Sequence, residues 1–166
     1  MTDQVPLELV GVRIELPTNT PIVLLRERDG VRFLPIWIGT AEATAIALEL
    51  EGVRPMRPMT HDLLRNVIEA LGATVDRVVV TELREGTFYA ELLLETGGGD
   101  RLVISSRPSD AIALAVRTGS PIYAVGSLLD EAGVEIHDES EEEEIERFRE
   151  FLDQVTPEDF EAGNPS

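Results

Sequence analysis

Two short segments carry the side chains best suited to phosphate and proton chemistry: Arg57-Pro58-Met59-Thr60-His61-Asp62 and Arg107-Pro108-Ser109-Asp110. Each opens on an Arg-Pro pair, continues through a hydroxyl residue and closes on an aspartate, at the start of a predicted helix. The first N–H groups of a helix lack intrahelical partners, so proline is tolerated there and anions are attracted. Arg57 and Arg107 would add fixed positive charge for a phosphate or carboxylate, with Thr60 and Ser109 beside them. Histidine as a residue type exchanges protons near neutral pH, so His61 is a candidate for proton transfer to a leaving oxygen. Asp62 and Asp110, with Glu42 near the start of an earlier helix, offer an all-oxygen ligand set for Mg²⁺ or Mn²⁺. Such a cation would acidify bound water and stabilise charge on a phosphoryl group.

The same residues also have a purely structural reading. Thr60, Ser106 and Ser109 are good helix caps, and Glu42, Asp62 and Asp110 would complement helix dipoles. His137, the second histidine, lies in an acidic tail and is expected in solvent. Trp37, Phe88 and Tyr89 fall in predicted strands, as core or sheet-face residues rather than platforms for bases. No phosphate-binding glycine loop, nucleophile elbow or paired-histidine zinc motif is present.

The elements that must position these residues follow from periodicity. Alternation predicts strands over 8–16, 22–25 and 32–38, then a small-residue helix over 41–51 with Thr40 as cap and Gly52 as stop. Shifted by 66 positions the pattern returns: strands over 75–83, 88–94 and 102–104, then a helix in which Ala111-Ile112-Ala113-Leu114 repeats Ala45-Ile46-Ala47-Leu48. An ungapped likeness of this length predicts an internally duplicated β-β-β-α unit in an α+β fold, closed around one core, its extra helices packed on an antiparallel or mixed sheet. Between the copies, Leu63, Leu64, Val67, Ile68 and Leu71 mark a helix beginning at Met59 or Thr60 and ending at Gly72. After them come a short strand over 121–125 and a short helix over 127–132, ended by Gly133. The positions matching Arg107, Ser109 and Asp110 in the first copy are Ala41, Ala43 and Thr44, so only the second copy carries the polar set.

Composition narrows the function classes. All fourteen basic residues are arginine, against thirty-two acids, for a net charge of −18. Residues 135–166 contribute −11 of this and residues 1–134 contribute −7, which disfavours broad non-specific binding of phosphate backbones. A domain over residues 1–134 with an acidic tail over 135–166 is the expected organisation. In the tail, Ile145, Phe148, Phe151, Leu152 and Val155 share a helical face suited to docking on the body or on a protein partner. There is no cysteine, which excludes disulfides and thiolate metal sites. No apolar run approaches the roughly 18 residues that span a bilayer, and the first residues do not resemble a signal peptide. A cytoplasmic protein is the expectation.

Leu34-Pro35-Ile36-Trp37-Ile38-Gly39, Glu42-Ala43, the segment from Arg57 to Leu64, Phe88-Tyr89-Ala90 and the run from Arg107 to Ala115 occur in the order found in the bifunctional nuclease domain family. The chain resembles that family over residues 7–133. The resemblance implies an α+β domain, a homodimer and nuclease activity on DNA and RNA. Arg57, Thr60, His61, Asp62, Arg107, Ser109 and Asp110 occupy its motif positions. The expected function is therefore metal-assisted phosphodiester hydrolysis. Asp62, Asp110 and Glu42 would hold the cation, His61 would move a proton, and the two arginines would position phosphate. The rival expectation, favoured by the net charge and the lack of a basic stripe, is a non-catalytic homodimeric regulatory or scaffolding module that binds an anionic ligand or a protein.

Overall fold

The computed structural model describes residues 3–135 of the chain. Its first half runs β1 (Gln4–Glu15), β2 (Thr20–Glu27), β3 (Arg32–Trp37) and α1 (Thr40–Leu50). α2 (Thr60–Ala70) follows, then β4 (Thr74–Arg84), β5 (Thr87–Glu95), β6 (Arg101–Ser106) and α3 (Pro108–Thr118). β7 (Ile122–Val125), α4 (Gly126–Ala132) and β8 (Val134–Glu135) complete the described chain. Local chemistry sets several boundaries. Glu85 and Gly86 both take positive φ, 51° and 78°, the pattern that turns one strand tightly into the next. Pro108 opens α3, and Gly119, at φ 68°, ends it in the left-handed conformation.

The strands form one sheet in the order β6-β5-β4-β7-β1-β2-β3-β8. Each half is an antiparallel meander. β7 joins them, antiparallel to β1 and parallel to β4, with Val78 opposite Ile122 and Leu7 also opposite Ile122. The α+β class is as expected. The two meander-plus-helix units are alike in element order; the duplication read from the 66-residue offset is a reading of the sequence.

The core lies on one face of this sheet. Leu7, Val23, Leu25, Leu34 and Ile36 from one half meet Val78, Val80, Ala90, Leu92 and Leu94 from the other, beneath helices α1, α3 and α4. α3 is the central helix: Ala111, Ile112, Ala113, Leu114 and Ala115 are all buried. Its alanines allow α1 and α2 to approach it closely, and both pack on it.

Several expectations need correction. Thr60 is the first helical residue of α2 and does not cap it; Met59 stands at the cap, and Asp62 accepts its N–H. Neither Ser106 nor Ser109 caps α3, whose cap position is Arg107, with no side-chain bond closing it. Thr40 begins α1 behind Gly39. Of the two places expected for Trp37, core or sheet face, it takes the second and is 55% exposed at the end of β3. The tail helix, with Phe148 and its neighbours, falls outside the described residues.

Candidate active site

The first turn of α2 lies against α3, and its two neighbouring polar residues reach different parts of that helix. His61, only 7% exposed, places Nε2 2.8 Å from Asp110 Oδ1 in the first turn of α3. Asp62 Oδ1 instead accepts from Arg117 Nε at 2.7 Å, in the last turn of the same helix. Asp110 and Arg117 are seven residues apart, about two helical turns and roughly 10 Å along one face.

The His61–Asp110 pair continues outward. Arg107 sets Nε 3.1 Å and Nη2 3.0 Å from Asp110 Oδ2, and Nη2 is 3.4 Å from Glu42 Oε2 on α1. Three helices thus contribute to one line: His61, Asp110, Arg107, Glu42. Burial pushes the Asp110 carboxyl up, but the hydrogen bonds from His61 and Arg107 outweigh it and hold the group below the ordinary carboxylate range. The Arg107 guanidinium is stabilised in its charged form, by Asp110 first and then Glu42. Gly39 leaves room for this arrangement, since a Cβ there would collide with Glu42 Oε1.

Asp62 has a different setting. Met59 N–H donates to Oδ2 at 3.0 Å and, with Arg117 on the other oxygen, keeps the carboxyl low against the opposing effect of burial. Arg117 is itself 3% exposed, and its remaining donors reach Ala113 O at 2.8 Å and Ala45 O at 2.9 Å. It therefore ties α1, α2 and α3 together. Sequence reasoning passed over it; the available signal was a single charge following the apolar run Ala111–Val116.

The expected site residues divide accordingly. His61, Asp110, Arg107 and Glu42 come together. Asp62 is adjacent in sequence but turned to Arg117. Arg57 lies in the exposed loop before α2, and neither it nor Thr60 forms a side-chain hydrogen bond or ion pair with any other described residue. The proposed cation ligands Glu42, Asp62 and Asp110 do not converge. Arg107 stands between Glu42 and Asp110, both Asp62 oxygens are engaged, and no three His, Asp or Glu residues among those described are grouped to hold a metal ion. As arranged, the set does not fit a divalent cation.

Beside Arg107 opens a cleft of about 340 Å³. Trp37 and Phe88 form part of its wall, with Gly39, Arg107 and Ser109. Ser109 is 5% exposed, and its hydroxyl has no hydrogen-bond partner among the described residues.

The cleft thus sets two aromatic rings and one carboxylate-paired arginine beside the His61–Asp110 contact. The model of the bifunctional nuclease domain matches residues 23–137. The chain belongs to the bifunctional nuclease domain family. An uncharacterized protein of Mycobacterium tuberculosis is 50% identical over 164 residues, covering 94% of this chain and 98% of that protein. Bifunctional nuclease 2 of Oryza sativa subsp. japonica is 29% identical over 127 residues, 75% of this chain and 39% of its own. Bifunctional nuclease 1 of Arabidopsis thaliana is 30% identical over 105 residues, 61% of this chain and 32% of its own. The family supports a nuclease-like function. No helix among the described residues is long and apolar enough to cross a membrane.

Proposed function

We propose that this protein hydrolyses phosphodiester bonds in DNA or RNA, with His61 and Asp110 as its proton-handling pair. The observation that carries the reading is the 2.8 Å contact between His61 Nε2 and Asp110 Oδ1 beside the Arg107 cleft. An Asp110 carboxylate accepting from Nε2–H fixes the ring tautomer and leaves the Nδ1 lone pair as the base. Water would attack phosphorus as Nδ1 takes its proton, and the P–O bond to the leaving oxygen would break. The imidazolium would then return the proton to that oxygen. Arg107 would offset charge on the phosphoryl oxygens during attack. Asp62 enters this scheme as the anchor that orients His61 through Arg117.

The test is cleavage of labelled single- and double-stranded DNA and RNA by purified protein. It is run with Mg²⁺, with Mn²⁺ and with chelator, alongside His61→Ala and Asp110→Asn. Intact substrate in every arm, or activity indifferent to both substitutions, would sink the reading.

A second reading keeps the fold and drops the chemistry: a homodimeric regulatory or scaffolding module for an anionic ligand or protein. The net charge of −18 favours it, as does β6. This edge strand exposes Leu102, Val103 and Ile104 at 45%, 62% and 42%, a surface suited to a second copy of the chain. Arg107-dependent binding of inorganic phosphate without hydrolysis would support it.

A further inference from the structure

We infer that the cleft beside Arg107 receives a single unstacked nucleotide, its base lying on Trp37 and its phosphate at the start of α3, so that the protein selects single-stranded nucleic acid. The inference rests on the nuclease reading for the identity of the ligand and adds which form of nucleic acid enters and what holds it.

Three features border the cleft. The first is Trp37. A tryptophan on a strand normally buries its indole, and this one is 55% exposed where β3 ends at the cleft wall. An exposed indole offers a flat face to any base, and stacking of this kind is tolerant of sequence. The second is Ser109. It is 95% buried by its 5% exposure, it lines the cleft, and its hydroxyl has no partner among the described residues. The residue is enclosed on its other sides, so the cleft is where a ligand oxygen can give this hydroxyl a partner.

The third is the start of α3 itself. The first intrahelical bond is Ala111 N–H to Arg107 O at 3.0 Å, so the N–H groups of Ser109 and Asp110 precede the helical ladder. Arg107 borders them with its side chain 69% exposed. Its Nε and Nη2 engage Asp110 and Glu42, and Nη1 has no partner among the described residues. Donors from Ser109 and Arg107 thus border the space into which a phosphate beside a Trp37-stacked base would fall.

Size and charge decide between strand forms. About 340 Å³ accommodates one nucleotide and not a base pair with its neighbours. A duplex would present stacked, paired bases to Trp37 and would need a broad cationic surface, which a chain of net charge −18 lacks. A single strand needs only one local foothold, and its bases are free to turn onto an aromatic ring.

Trp37 is the sole tryptophan, so intrinsic fluorescence of the full chain reports on this site alone. The titrants are a ten-nucleotide oligothymidylate, a duplex of equal length, an abasic strand of equal length and inorganic phosphate. The single strand should quench the emission, and the other three should leave it nearly unchanged at equal phosphate concentration. By anisotropy of a labelled strand, Trp37→Ala should weaken binding ten-fold or more, while Trp37→Phe stays within about three-fold of the parent. Equal quenching by the abasic strand or duplex overturns the inference, as does unaltered binding by Trp37→Ala. Quenching without any hydrolysis leaves the nucleotide site standing and removes the nuclease reading. Hydrolysis with an unchanged single-to-double-strand ratio in Trp37→Ala removes the inference alone.

Discussion

Asp62 and Arg117 meet at 2.7 Å between α2 and α3, with Arg117 almost completely enclosed. The pair holds the first turn of α2 against α3 and so determines where His61 points. Removing the arginine strands a carboxylate and two carbonyls. Arg117→Ala is expected to lose about 3 kcal/mol or more of stability, the usual cost of breaking a buried ion pair from one side. Arg117→Lys should recover only part of it, because an ammonium cannot reproduce the planar fork. Urea unfolding followed by far-ultraviolet circular dichroism would measure both; a parent-like midpoint for Arg117→Ala would refute the clamp.

Acid sensitivity follows from the same carboxylates. Asp62 and Asp110 are both held below the ordinary aspartate value of 3.8 in the folded protein. Their contribution is therefore complete above that value and is lost as pH falls through the depressed folded values, where the unfolded chain binds more protons. Thermal melts from pH 5 down to pH 2 should show the parent losing stability more steeply than Asp62→Asn, which is weaker at pH 5 but flatter below pH 4. Parallel curves would show that Asp62 is not linked to folding.

For the reaction itself, His61→Ala should lower phosphodiester cleavage by about 100-fold or more, the range for loss of a positioned acid–base group. Asp110→Asn should give a comparable loss while keeping the shape of the residue. Its amide would turn a donor toward Nε2 and reverse the tautomer. The pH–rate profile separates this from misfolding, since a lost proton acceptor changes the shape of the profile and a folding defect scales the whole curve.

Gly39 offers a finer probe. Its φ of −79° is open to any residue, so only space forbids a side chain. Gly39→Ala should displace the flexible Glu42 carboxylate and free Arg107 from it, at a stability cost below about 1 kcal/mol. Phosphate binding by the variant, followed by isothermal titration calorimetry, should strengthen, as one of the two carboxylates facing Arg107 moves away. Weaker binding would mean that Glu42 orients the arginine more than it neutralises it.

The edge strand gives a prediction about assembly. Val103→Lys places a charge at the most exposed of the three apolar positions on β6. If two copies pair through this strand, light scattering coupled to gel filtration should show a dimer for the parent and a monomer for the variant. A monomeric parent would dispose of the arrangement.

The α+β class and every element from β1 to α4 were legible from alternation, small-residue helices and glycine stops. These signals are local, and the residues that make them also make the core. The candidate site was legible in residue type and only partly in geometry. Two adjacent side chains, His61 and Asp62, looked like one constellation with Asp110. A helix turns by about 100° per residue, so neighbours leave it in different directions, and one met Asp110 while the other met Arg117. Arg117 escaped notice because its partners, Asp62 and two backbone carbonyls, lie on three separate helices. For Trp37 the sequence left core and sheet face open, because burial of a strand residue depends on what covers the end of the sheet, which periodicity does not report.

The single parallel join in the sheet, between β4 and β7, has a consequence for how the molecule is made. Each three-stranded meander closes through short hairpins and can organise as soon as its own segment exists. The two cannot become one sheet until Ile122–Val125 is available to sit between β1 and β4. During synthesis, the chain must therefore leave the ribosome as far as Val125 before the seam closes, and the edges of β1 and β4 stay open until then. His61 and Asp110 are both translated before that moment. The joining of the two halves thus rests with four residues that take no part in the chemistry.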